Sequence, residues 1–146
     1  MQTGTWTLIL LLAAVSCTLA ASPVETLPPA SPLRQAILDA LRVPVQEDLK
    51  QKVVFRVDLL SVKDGWAYFR GQTRKPDGSP MDYRRTKYWK QIQLGRFEDW
   101  LCALLKLQDG KWLVVEFLIG HTDEPSMYLL ERYGAPRELW RPPLPD

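Results

Sequence analysis

The sequence predicts an α+β domain with an N-terminal helix, two antiparallel β-hairpins that form a four-stranded sheet, and a C-terminal helix, with the helices packed on one sheet face. Apolar residues recur at helical spacing after Ser31 and again before Gly134. Between these segments, pairs of apolar runs flank Asp64-Gly65 and Asp109-Gly110, which are typical hairpin turns. The chain has 146 residues, of which 46% are hydrophobic, so it can bury the core of one such domain and leaves little room for a second.

The helix boundaries follow from capping residues and prolines. The first helix is expected to begin at Pro32, with Ser31 as its N-cap. Pro44 is expected to end this helix at or before Val43, because proline lacks the N–H group that a helix interior uses. The final helix is expected from about residue 124 to residue 133.

Four strands are expected, over residues 53–62, 66–73, 101–108 and 111–119. Strict alternation places Val57 and Leu59 on one face of the first strand. It likewise places Leu113, Val115 and Phe117 on one face of the last strand. This last strand is nearly apolar on both faces, which indicates a central strand or one that is covered on its second face.

Residues 1–21 have the pattern of a secretory signal peptide. No charge occurs over residues 6–21, residues 8–15 are continuously apolar, and the small residues that follow permit cleavage after Ala20 or Ser22. The uncharged span of 16 residues is shorter than the roughly 20 that cross a bilayer, and the segment before it lacks Lys and Arg. We therefore expect an exported protein, periplasmic or extracellular, with an uncleaved anchor as the alternative.

The two cysteines bear on this destination. Lipid attachment at Cys17 is disfavoured because Ala14 stands where Leu, Val or Ile usually precedes a lipidated cysteine, although Ser16 fits the pattern. Removal of the signal peptide leaves Cys102 as the only thiol, so the mature chain cannot form an internal disulfide. Cys102 lies in an apolar segment, and we expect it to be buried.

The rest of the chain divides into a proline-rich linker over residues 22–31, a single domain over residues 32–140, and a tail over residues 141–146. The domain carries an insert, residues 79–99, between its two hairpins. From Arg70 to Arg96 there are eight basic and two acidic residues, whereas the remaining chain has 11 basic and 15 acidic residues. The formal charge of +2 is therefore the sum of a basic segment over residues 70–96 and an acidic remainder of the chain.

This basic segment is the best candidate for a binding site, because its cations alternate with aromatic side chains. The candidate residues are Arg84, Arg85, Lys87, Tyr88, Trp89 and Lys90. Such a set can bind an anionic polymer, because Arg and Lys hold its phosphates or carboxylates while the aromatic side chains stack on its rings or sugars. In an exported protein the partner would be an anionic envelope polymer, anionic lipid headgroups or an acidic protein surface, and the near-neutral chain gives no reason to expect nucleic acid. The alternative is a solvated loop whose rings pack on the sheet while its cations point outward.

An enzyme is a second hypothesis, and the sequence favours a non-enzymatic binding or accessory protein over it. His121 is the only histidine, Asp123 follows it, and Glu116 lies on the preceding strand, so His121 could act as an acid or base in a concave sheet pocket. The alternative is a turn whose residues cap the last helix. One histidine and scattered carboxylates give no metal-ligand spacing, so we expect no metal and no cofactor. A homodimer through the sheet edge or the insert is a third hypothesis.

Several short segments resemble a group of small secreted bacterial proteins of uncharacterised function. They are AILDALR at 36–42, DGWA at 64–67, PDG at 76–78, DGKW at 109–112, LVVEFLIG at 113–120, TD at 122–123 and RYGAP at 132–136. These motifs are turns and strands, so the resemblance implies an envelope or periplasmic location and transfers no catalytic residue. A curled sheet around a helix, either cystatin-like or NTF2-like, is the best-known architecture with this element order.

Overall fold

The computed structural model describes residues 22–122 and 126–140. The predicted signal peptide over residues 1–21, the candidate residue Asp123, the start of the predicted last helix and the tail over residues 141–146 lie outside the described residues. No helix in the described part of the chain has the length and apolar character needed to span a membrane.

The described residues form a five-stranded antiparallel sheet in which strands adjacent in sequence are adjacent in space. The strands are β1 (Glu25–Thr26), β2 (Val54–Lys63), β3 (Trp66–Arg74), β4 (Leu101–Gln108) and β5 (Lys111–Ile119). The helices are α1 (Pro32–Leu49), α2 (Trp89–Gln93) and α3 (Ser126–Tyr133), followed by a single 3₁₀ turn at Arg137–Leu139. The α+β class and both hairpins are confirmed. The sheet is not strongly curled, so the expectation of a cystatin-like or NTF2-like curled sheet is not met.

The prediction of four strands is wrong because β1 lies in the segment expected to be a linker. Glu25 pairs with Val62 and Thr26 with Ser61, on the outer edge of β2. The next residue, Leu27, is buried against the sheet, and this burial holds the short strand in place. A strand of two residues between prolines carries no alternating pattern that sequence analysis could detect.

The predicted end of the first helix at Val43 is also wrong, because α1 continues through Pro44 to Leu49. An interior proline costs about 3 kcal/mol through the lost N–H group and the clash of its ring. Val45 and Leu49 lie on the next turn and are fully buried, and each such burial contributes roughly 1.5–3 kcal/mol. The free energy gained by burying Val45 and Leu49 therefore exceeds the cost of the interior proline. The N-terminus is as expected, since the Ser31 hydroxyl accepts a hydrogen bond from the Arg34 N–H group at 3.3 Å.

Two β-bulges change the predicted strand faces. The pairing of β2 with β3 skips Asp58, so Leu59 turns away from the face that Val57 shares with α1. The pairing of β5 with β4 skips Val115, so Phe117 packs on the α1 side rather than on the same face as Val115. Strict alternation fails at both places because a bulge adds one unpaired residue. β5 is an edge strand covered on both faces, the second of the two expected alternatives.

Both faces of the sheet are covered, in contrast to the expectation that helices pack on one face. Helix α1 and the insert cover one face, over a core that includes Ile37, Leu41 and Phe69. Helix α3 and the 3₁₀ turn cover the other, over Tyr68 and Cys102. The buried Ser61 hydroxyl donates a hydrogen bond to the carbonyl oxygen of Leu139 and ties the end of the described chain to β2.

Candidate functional site

The insert is held on the sheet by a buried tyrosine. Tyr83 is 9% exposed, and its hydroxyl donates to Asp99 Oδ1 at 2.8 Å while lying 3.2 Å from the hydroxyl of Thr73. The second oxygen of Asp99 accepts from Arg74 at 2.6 Å. Burial raises the pKa of the Tyr83 hydroxyl well above its ordinary value, so Tyr83 remains a neutral hydrogen-bond donor. The two ends of the insert are thereby joined to each other and to β3.

A second anchor joins the insert to α1. Asp48 accepts a hydrogen bond from the Tyr88 hydroxyl at 2.5 Å and from Lys87 Nζ at 2.6 Å. Burial raises the pKa of the Tyr88 hydroxyl, and the Asp48 carboxylate raises it further. The ring of Tyr88 also contacts those of Tyr83 and Phe97, whose centroids lie 6.3 and 6.0 Å away. The insert is therefore a packed element with two polar anchors.

The main chain at Asp82 is clamped by Gln51, which lies two residues after the C-terminal end of α1. Gln51 donates to the carbonyl oxygen of Asp82 at 2.7 Å and accepts from its N–H group at 3.1 Å. The Asp82 carboxylate holds the Arg84 guanidinium through Nε at 2.9 Å and NH2 at 2.7 Å. These hydrogen bonds, with that from the Arg84 backbone N–H group, lower the pKa of Asp82 below its usual range. The guanidinium of Arg84 is thus paired with Asp82 through two hydrogen bonds.

These contacts leave a basic cavity of about 630 Å³ between the end of α1 and the insert. It is lined by Leu49, Lys50, Gln51, Lys75, Asp82, Arg84 and Arg85. Among the described residues, no carboxylate lies within ion-pair distance of Lys50, Lys75 or Arg85. The only carboxylate in the lining, on Asp82, is already occupied by Arg84. The cavity therefore has a net positive lining, in which Lys75 interacts with the Asp77 and Asp82 carboxylates only beyond ion-pair distance.

The structure separates the six predicted binding residues into groups. Arg84 and Arg85 line the basic cavity, whereas Lys87 and Tyr88 are engaged with Asp48. Trp89 is 37% exposed and, with Arg84, lines an adjoining cavity of about 400 Å³. The Lys90 side chain is exposed.

Sequence analysis missed two residues of the basic cavity, Lys50 and Lys75. Lys75 belongs to the basic stretch but precedes the insert, in the turn after β3. Lys50 follows α1 and adopts a left-handed backbone conformation, with φ of 55°, that ends the helix. No sequence pattern connects Lys50 with Lys75, because packing of α1 on the sheet brings them to one cavity.

The structure does not bring the proposed acid/base residues together. His121 is exposed and lines a cavity of about 370 Å³ with Tyr88 and Phe97, on the α1 side of the sheet. Glu116 faces α3 instead, where it accepts a hydrogen bond from the Tyr133 hydroxyl at 2.6 Å. Asp123 lies outside the described residues. No group of three His, Cys, Asp or Glu residues that could hold a metal ion occurs within residues 22–122 and 126–140.

The predicted burial of Cys102 is confirmed. Its side chain is fully buried between the sheet and α3. Burial, with a smaller effect of the Glu116 carboxylate, raises the pKa of the thiol to about 12. Because the thiolate is the reactive form, we expect Cys102 to be unreactive in the folded protein.

Comparison of the chain with protein-family models, curated proteins and solved structures found no significant match.

Proposed function

We propose that this protein is an exported, non-enzymatic binding protein that takes an anionic ligand in the basic cavity between α1 and the insert. The observation that carries the proposal is the convergence of Lys50, Lys75 and Arg85 on one cavity whose single lining carboxylate, on Asp82, is paired with Arg84. An anion placed there gains charge-assisted hydrogen bonds, which are stronger than hydrogen bonds between neutral groups.

The framework around the cavity supports this proposal. Gln51 fixes the main chain at Asp82, and Asp82 fixes the guanidinium of Arg84. A site whose groups are already held in place loses less conformational entropy when it binds a ligand, because those groups are ordered beforehand.

Export enters the proposal through the signal-peptide pattern of residues 1–21. The expected ligands are consequently anionic components of the cell envelope or the extracellular medium. The acid/base alternative has weaker support, because His121 and Glu116 lie on opposite faces of the sheet.

The proposal is tested by retention of the purified protein on a phosphocellulose column. The double variant Lys75→Glu/Arg85→Glu removes two cavity cations. The matched control is Arg56→Glu/Lys111→Glu, which changes the net charge equally at two exposed positions on β2 and β5. We expect the cavity variant to elute at clearly lower salt than the control, because a localised site contributes more than net charge. Elution of both variants at the same salt concentration would contradict the proposal.

A further inference from the structure

We propose that the anionic ligand is an extended acidic polysaccharide rather than a small anion, an inference that rests on the binding function proposed above. It is based on the shape of the surface around Lys75. The basic cavity does not stand alone, because Lys75 also lines two further cavities of about 400 Å³ each. Because the three cavities share Lys75 in their linings, we treat them as one binding surface, which we call the Lys75 groove.

The Lys75 groove has two arms beside the basic cavity. One arm shares Gln51 with the basic cavity and is also lined by Lys52, Pro76 and Asp77. The other arm is shared through Arg84 and continues to Trp89. The central cavity alone, at about 630 Å³, lies in the size range of sites for drug-sized ligands. A single phosphate or carboxylate ion would leave most of this groove empty.

The chemistry of the groove changes along its length. Four cations line the basic cavity, and Lys52 adds another in one arm, beside the Asp77 carboxylate that accepts hydrogen bonds from Ser79. In the other arm Trp89 presents a partly exposed indole ring in a cavity that also contains Lys75, Arg84 and the Asp82 carboxylate. Sugar rings have apolar faces that pack against an indole, whereas their carboxylate or sulfate groups pair with Lys and Arg. An acidic polysaccharide presents both features in a repeating chain.

The arrangement favours a polysaccharide over an acidic peptide. An acidic peptide offers charge in quantity but no repeated flat ring for Trp89. The indole ring therefore favours the polysaccharide, since its flat face adds most affinity for a ligand that has a flat ring to place against it.

The test is titration calorimetry of the purified protein with galacturonic acid and with its oligomers of two, four and six units. We expect affinity to rise at least tenfold from the monomer to the hexamer. Trp89→Ala should weaken hexamer binding by about fivefold and leave monomer binding unchanged, given the usual strength of ring contacts. The control Tyr128→Ala removes an exposed aromatic ring from α3, on the other face of the sheet, and should change neither affinity.

The outcomes separate this inference from the binding function on which it rests. Equal affinities for monomer and hexamer would overturn the extended ligand, while the elution difference on phosphocellulose would still support an anion site. Equal binding of a hexamer of glutamic acid, or of the neutral glucose hexamer cellohexaose, would overturn the acidic polysaccharide. No binding of any oligomer, together with no elution difference, would overturn both proposals.

Discussion

The Asp48 anchor supports a quantitative prediction about how the insert is held on α1. In Asp48→Ala, the insert loses the hydrogen bond from Tyr88 at 2.5 Å and the ion pair with Lys87 at 2.6 Å. A hydrogen bond to a charged group contributes about 1.5–3 kcal/mol. The Lys87 side chain is 66% exposed, so its ion pair contributes only about 0–1 kcal/mol. We therefore expect the free energy of unfolding to fall by about 2 kcal/mol.

Urea unfolding followed by tryptophan fluorescence measures this loss. Asp48→Ala also removes an acidic residue from the last turn of α1, which by itself would stabilise the helix by roughly 0.3–1 kcal/mol. The control Glu47→Ala measures that effect, because Glu47 is exposed on the same turn and makes no ion pair within the described residues. A fall of 2 kcal/mol lowers Tm by about 8 °C in a domain of this size, at about 4 °C per kcal/mol.

Two further variants assign the loss to its source. Tyr88→Phe removes only the hydroxyl and should cost most of the 2 kcal/mol expected for Asp48→Ala, about 1.5 kcal/mol. Lys87→Met should cost less than about 1 kcal/mol. The reasoning would be refuted if Asp48→Ala stayed within about 0.5 kcal/mol of the parent, or if Lys87→Met cost as much as Tyr88→Phe.

Three other predictions concern titration, thiol reactivity and backbone space. Burial raises the pKa of Tyr83 above 10.0, so the contribution of this pKa shift to stability is complete below pH 10 and declines as pH rises further. In Tyr83→Phe, the free energy of unfolding measured with urea should therefore fall less steeply above pH 10 than in the parent. Cys102 should react with a disulfide reagent only after the protein unfolds, and rapid reaction of the native thiol would contradict its burial. Gly110→Ala should cost about 1 kcal/mol for its positive φ, with open space around it. Gly120→Ala should cost at least about 2 kcal/mol more, because its Cβ would lie 2.2 Å from the Phe97 ring; equal losses would exclude this clash.

Much of the candidate site could be located from the sequence but not assembled from it. Composition identified the basic, aromatic segment that contains Arg84, Arg85 and Trp89. It could not show that Lys87 is engaged with Asp48, because that pair is separated by 39 residues in the chain. Nor could it add Lys50 to the site. The local sequence shows which side chains a segment carries, whereas the residues that those side chains contact depend on packing between distant segments.

The sequence by itself determined the order of α1, the two hairpins and α3, the hairpin turns and the start of α1, because each depends on residues within a few positions of one another. Asp64-Gly65 and Asp109-Gly110 have the positive φ values that such hairpin turns require. Tertiary structure alone decided where α1 ends, since burial of Val45 and Leu49 overrides Pro44. It also decided the bulges, the edge strand β1 and the gathering of cations around Lys75. These features depend on packing and strand pairing between segments that are far apart in the sequence, and a local sequence pattern carries no information about such contacts.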